Sequence, residues 1–139
     1  MKKSKEELLR FSAEICKNTL METLQIEFVD ITDSMVIAKM PVTPRVHQPD
    51  GVLHGGASVA LAESVGSAAA FMLLDSENIQ IRGIEIAANH IKSVKDGVVY
   101  AKAKNVHKGK TTQLWQIDIV NEADELVSSV KMTTLTLNR

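Results

Sequence analysis

The chain has 139 residues, 45% of them hydrophobic and 24% charged, with a formal net charge of −1. This is the size and composition of one ordinary globular domain, and residues 1–139 read as a single unit. The balanced charge argues against a nucleic-acid-binding surface, and the lone Cys16 excludes an internal disulfide and a cysteine-based metal site.

The start, Met1-Lys2-Lys3-Ser4-Lys5-Glu6-Glu7, is basic. An amphipathic helix follows it instead of an apolar leader segment, so a cytoplasmic location is the expectation. That helix runs from Lys5 to about Thr19, with Leu8, Leu9, Phe11, Ile15 and Cys16 as an irregular apolar stripe. Two β-rich runs come next, Leu24–Ile31 and Met35–Met40, split by the hairpin signal Thr32-Asp33-Ser34. Pro41, Pro44 and Pro49 then punctuate a loop that ends at Gly55 and Gly56.

A long helix is expected from about Gly56 to Leu74. Between Gly51 and Leu74 the only formal charge is Glu63. The run is apolar enough to resemble a membrane span, but a charge at mid-bilayer costs about 2.5–3.5 kcal/mol. A buried helix of a soluble protein is the expectation, with no membrane as partner. Its alanines and glycines allow close approach of a sheet. Four strands follow: roughly Ile79–Ser93, Gly97–Val106, Thr111–Asn121 and Leu126–Leu137, with turns at Lys95-Asp96-Gly97, His107-Lys108-Gly109 and Asn121–Asp124. Trp115, Ile117 and Ile119 alternate with Gln116 and Asp118, as a half-buried strand requires. The fold class is therefore α+β: a curved, mainly antiparallel sheet wrapped around one long central helix, with a further helix at the N-terminus.

Two features of this helix point to chemistry. A carboxylate in an apolar segment is costly to desolvate, so it finds a partner, shifts its pKa or does work. Glycines at a helix start leave backbone N–H groups open to a ligand. A carboxylate and an oxyanion-type donor on one segment are parts of acyl-transfer chemistry.

The stretch His47-Gln48-Pro49-Asp50-Gly51-Val52-Leu53-His54-Gly55-Gly56-Ala57-Ser58, followed by Leu61-Ala62-Glu63-Ser64, resembles the hotdog-fold acyl-CoA thioesterases. Gly83-Ile84-Glu85 through Asn89-His90-Ile91-Lys92-Ser93, and His107-Lys108-Gly109-Lys110, match as well. The nearest resemblance is to the 1,4-dihydroxy-2-naphthoyl-CoA, 4-hydroxybenzoyl-CoA and phenylacetyl-CoA type enzymes, over about Leu24 to Leu137. The resemblance implies that Glu63 is the nucleophile or the general base for water, and that the Gly55 N–H polarises the thioester carbonyl. It implies that Gln48 and His54 hold the substrate near the thioester and that Ser67 orients the nucleophile or water. It also implies that Gly83, His90, Ile91, Lys92, Ser93 and the turn His107, Lys108, Gly109, Lys110, Thr111 and Thr112 line the coenzyme A site. Coenzyme A is then part of the substrate, and no separate cofactor is expected. The chain departs from the pattern at Asp50, where close relatives often carry an apolar or aromatic residue.

Spacing adds a constraint. Gly55 and Glu63 are eight residues apart, about 12 Å along one helix at roughly 1.5 Å per residue. Attack needs reacting atoms about 3–3.5 Å apart. If both residues serve one thioester they come from different chains, so the working unit is at least a dimer; the resemblance implies a tetramer of two dimers.

The plainer readings stand beside these. Glu63 is otherwise a structural carboxylate paired with His54 or backbone, and His54 a contact at a helix start. Ser67, four residues after Glu63, can meet it, whereas Ser64 points elsewhere. His47, His54, His90 and His107 lack zinc-motif spacing, so no metal is expected. Lys92, Lys95, Lys102, Lys104, Lys108 and Lys110 read mostly as a solvated face; Lys108 and Lys110, flanking Gly109, are placed to meet a phosphate. Two rival functions share the fold, a non-catalytic acyl-CoA sensor and a hydratase or dehydratase.

Overall fold

Period-two burial is clearest in strand β2 (Met35–Pro41), where Val36, Ala38 and Met40 are fully buried and the residues between them half-buried. It recurs in β4 (Val98–Lys108) through Val99, Ala101 and Ala103, and in β5 (Thr112–Val120) through Gln113, Trp115, Ile117 and Ile119. The computed structural model describes residues 3–74 and 78–138. Its remaining strands are β1 (Glu27–Ile31), β3 (Ile79–His90) and β6 (Leu126–Asn138). All pairings are antiparallel, in the order β1-β2-β4-β5-β6-β3.

The helices are α1 (Lys5–Ile15), the short α2 (Leu20–Thr23) and α3 (Gly55–Leu73). Helix α3 lies across one face of the sheet, touching β2 through β6. It is long and apolar enough to cross a membrane by composition, yet its buried residues, Leu61, Ala62, Val65, Gly66, Ala69 and Ala70 among them, form the core with the inward residues of the strands. The helix expected to be buried within a wrapped sheet is more open than that. The sheet covers one side, and a stripe through Gly56, Glu63 and Phe71 is exposed. Phe71 stacks on Phe11 of α1, ring centroids 5.9 Å apart.

The N-terminal region also differs from expectation. The helix expected to reach Thr19 stops at Ile15, because Asn18 adopts a left-handed φ of 60° and Thr19 caps a new turn by accepting from the Met21 N–H. Gln25, at φ 58°, delays β1 to Glu27. Strand β4 runs two residues further than expected, through a bulge between Asn105 and His107, so His107 and Lys108 lie in the strand. Cys16 is buried beside Met21, and burial pushes its thiol pKa up, which suits packing and not reactivity.

Under α3 the sheet buries a short polar chain. Trp115 Nε1–H donates to Thr134 Oγ1 at 2.8 Å, and the Thr134 hydroxyl donates to Gln113 Oε1 at 2.8 Å. Thr134→Val keeps the shape and orphans both neighbours. It should destabilise the fold by roughly 1–3 kcal/mol per orphaned group, read as a lower urea midpoint with unchanged m-value.

Candidate active site

The loop before α3 is built by backbone bonds. Gly51, at φ 83°, closes a turn in which its N–H donates to the Gln48 carbonyl and the Gln48 N–H to the Val52 carbonyl. The Leu53 N–H donates to the Val94 carbonyl and the His54 N–H to the Val46 carbonyl, which pins the loop against the segment after β3. His47 Nε2 bonds the Lys95 carbonyl at 2.8 Å. This frame presents the first turn of α3 to a cleft.

His54 is the N-cap. Its Nδ1 accepts from the Gly56 N–H at 2.8 Å, so in this arrangement the ring proton of a neutral His54 sits on Nε2. The Gly55 N–H has no acceptor among the described residues and remains open, as the first N–H groups of a helix are. The His90 ring packs directly on Gly55: a Cβ there would lie 2.7 Å from His90 Nε2. His90 Nδ1 in turn meets Ser128 Oγ at 2.8 Å.

Gln48, Val52, Gly55, Ser58, His90, Ile91, Lys92 and Ser93 line a cleft of about 180 Å³. Sites that bury a whole small ligand run to roughly 300–1,000 Å³, so this cleft within one chain is smaller than such a site. Gln48 donates its amide to Asp50 Oδ1 at 2.8 Å, which gives the unusual Asp50 a local partner. Lys92 pairs with Glu125 at 3.2 Å. The Asn121 amide, and then the Lys92 ammonium, hold the Glu125 carboxyl below its ordinary pKa.

Glu63 lies outside this cleft. It is exposed, and neither reading of a buried carboxylate bonded to His54 or to backbone is met: among the described residues it has no hydrogen-bond or ion-pair partner. Its Oε2 reaches strand β3, 3.0 Å from where a Cβ on Gly83 would sit. Ser67 is half-buried one turn further along α3, and Ser64 turns back to the Ala60 carbonyl at 2.7 Å.

The expected coenzyme A residues also separate. Register places His90 opposite Ser128 and Thr112 opposite Leu135 on β6. Those positions are seven residues apart, about 23 Å at 3.3 Å per residue. Thus Gly55, Gln48 and His90–Ser93 gather at one end of β3. Glu63 with Gly83 lies toward the other end, where the Gly109–Thr111 turn also sits. The contacts of Gly55 with His90 and of Glu63 with Gly83 join residues 35 and 20 apart in sequence, and no local signal announces them.

An antiparallel sheet folded over one long helix is the hotdog architecture, here with an open helix N-terminus and a carboxylate unpaired among the described residues; the comparisons supply the class, a hydrolase of thioesters. Residues 50–128, more than half of the chain, match the Thioesterase superfamily, and the chain belongs to it. It is 45% identical over 114 residues to the 1,4-dihydroxy-2-naphthoyl-CoA hydrolase of Escherichia coli, covering 82% of this chain and 83% of that one. It is 40% identical over 116 residues to the proofreading thioesterase EntH of Cronobacter turicensis, covering 84% of each. A crystal structure of a thioesterase from Haemophilus influenzae matches with a TM-score of 0.90 and 39% identity, over 94% of this chain and 90% of that one.

Asn121→Ala removes the larger of the two influences on Glu125. Its carboxyl titration should move up toward the ordinary glutamate range, followed by carbon NMR across a pH series. An unmoved midpoint would show that the bond does not persist in solution.

Proposed function

We propose that the protein hydrolyses an acyl-CoA thioester to the free acid and coenzyme A in a site shared by two copies of the chain. One observation carries this reading: Gly55 packs on His90 near the end of β3, while Glu63 packs on Gly83 near its start. Strand β3 is an edge of the sheet, bonded only to β6 on its other side. A twelve-residue open edge invites pairing with another strand. Two copies related by a two-fold axis pair such edges antiparallel. The Gly83 of one chain then falls opposite the His90 of the other when the axis passes between Ile86 and Ala87. That register brings Glu63 of one chain to Gly55 of the second and removes the 12 Å conflict within α3. It also carries the Gly109–Thr111 turn of one chain toward the His90–Ser93 segment of the other. Coenzyme A would meet Lys92 from one side and Lys108 and Lys110 from the other.

In this site the Gly55 N–H, together with the positive end of α3, accepts the charge that develops on the thioester oxygen. Glu63 of the other chain attacks the carbonyl carbon or takes the proton of an attacking water. The C–S bond then breaks and coenzyme A leaves as a thiolate; where Glu63 acted as base it returns the proton to the thiolate, and where Glu63 attacked, water hydrolyses the acyl–Glu63 anhydride to the free acid and restores the carboxylate. His54, with its Nε2–H free, and Gln48 orient the carbonyl. Ser67 steadies the attacking group. The dimer is the smallest working unit, and a tetramer of two such dimers is the assembly the resemblance implies. The relatives named as acyl-CoA hydrolases support coenzyme A as the carrier, and the cytoplasm is the place of work we propose. One is named for an aromatic acyl-CoA and another for proofreading; we favour an aromatic or similarly bulky acyl group.

Thiol release from a panel of aromatic and aliphatic acyl-CoAs tests the reading. Glu63→Gln should lower kcat roughly 10²–10⁴-fold. Gly55→Pro removes the N–H at a helix position that accepts proline, and Gly55→Ala brings the same Cβ against His90 while keeping the N–H; the proline variant should turn over roughly 10²–10³-fold more slowly than the alanine variant. Unfolded and refolded together, the Glu63→Gln and Gly55→Pro variants should regain activity that neither has alone, because a mixed dimer keeps one intact site. Absence of any recovery, with mixed dimers shown to form, would rule out the shared site.

A further inference from the structure

Gly83 is not a glycine for its backbone. Its φ lies outside the left-handed region, which among the described glycines only Gly51 and Gly97 occupy. What it lacks is room. A Cβ on Gly83 would lie 2.7 Å from Met132 Cε and 3.0 Å from Glu63 Oε2. Both atoms are the far ends of flexible side chains, so an added Cβ would be accommodated by displacing the exposed Glu63 carboxylate and the methionine methyl from where they now lie.

Met132 is 2% exposed and extends between two glycines. Its Sδ lies 2.6 Å from where a Cβ on Gly66 would sit, while its Cε faces Gly83. Gly66 is three residues beyond Glu63 on α3, so the two are neighbours on the helix, Gly66 turned to the sheet and Glu63 at its exposed border. One unbranched thioether thus spans the gap from the helix that carries the carboxylate to the strand that the carboxylate reaches. Strand β3 also changes register between Gly83 and Glu85, and a bulge of this kind locally re-aims a strand.

The contacts on Glu63 are contacts of shape. No described donor binds its oxygens. A glutamate held by an ion pair has its lone pairs engaged; Glu63, exposed and bordered by the sheet at Gly83, keeps them free. That is the condition a nucleophile or general base needs.

We infer that Gly83 and Met132 are positioning residues for the Glu63 carboxylate: the missing side chain of Gly83 forms its seat, and Met132 forms the floor. This rests on the role of Glu63 proposed above, and it gives Gly83 a task other than lining the coenzyme A site.

Four variants test it, with kcat, KM and melting temperature measured on the same acyl-CoA: Glu63→Gln, Gly83→Ala, Met132→Val, and Gly83→Ala combined with Met132→Val. Gly83→Ala should lower kcat about 100-fold, the scale of a 1 Å misplacement, with KM unchanged. In the double variant the shorter residue at 132 relieves one of the two collisions. The melting temperature should recover while kcat stays low, because the collision with Glu63 remains. Recovery of kcat together with the melting temperature would overturn the inference and leave Gly83 a packing glycine. A raised KM with wild-type kcat would overturn it in favour of a ligand contact. If Glu63→Gln is inactive and Gly83→Ala turns over normally, only the seat fails; if Glu63→Gln stays active, the role of Glu63 itself fails.

Discussion

Helix α3 fixes the separation of Gly55 and Glu63 at about 12 Å, because both lie in one unbroken run from Gly55 to Leu73. No rotamer closes that distance, since one partner is a backbone N–H. The helix therefore divides the proposed chemistry: a donor end beside the Gln48–His54 loop, and a carboxylate two turns on. The rest of the chain is arranged around that division. The loop before α3 and the segment after β3 bond to each other so that the donor end is open. The start of β3, with its glycine and bulge, receives the carboxylate.

How closely the helix lies on the sheet depends on side chains of little bulk. Ala62, Gly66, Ala69 and Ala70 face inward, and Met132 with Ile117 fills the space directly against Gly66. A larger residue at position 66 would lift the helix and, with it, the point from which Glu63 extends. Packing and the role proposed for Glu63 are coupled here by geometry.

Much of this was readable from the chain. The alternation through Val36, Ala38 and Met40 and through Trp115, Ile117 and Ile119 marks strands because one face of the sheet is buried. The small-residue run marks α3, and the His54-Gly55-Gly56 start with Glu63 marks the family. Other features leave no local trace. Gln25 takes a left-handed conformation that glutamine does not announce, whereas Asn18, also left-handed and followed by the capping Thr19, is a helix-ending signal that the apolar stripe through Cys16 outweighs in the sequence pattern. The exposed stripe of α3 is nearly as apolar as its buried face, and periodicity cannot tell them apart. For this reason Glu63 looked enclosed and is in fact open. The bulge at Val106 lengthens β4 without a glycine or proline to signal it. The contacts of Gly55 with His90 and of Glu63 with Gly83 are tertiary, set by sheet register.

Trp115 is the only tryptophan in the chain. It is 2% exposed and lies opposite Met132 in the β5–β6 register. Its indole N–H is bonded to Thr134, whose own strand neighbour is Gly83. A dry, hydrogen-bonded indole emits at short wavelength, and its emission moves to the red when water enters or the bond breaks. The protein thus has a built-in optical gauge one residue row from the carboxylate. Light absorbed at a single position reports on the floor of the site without a label, a ligand or a turnover.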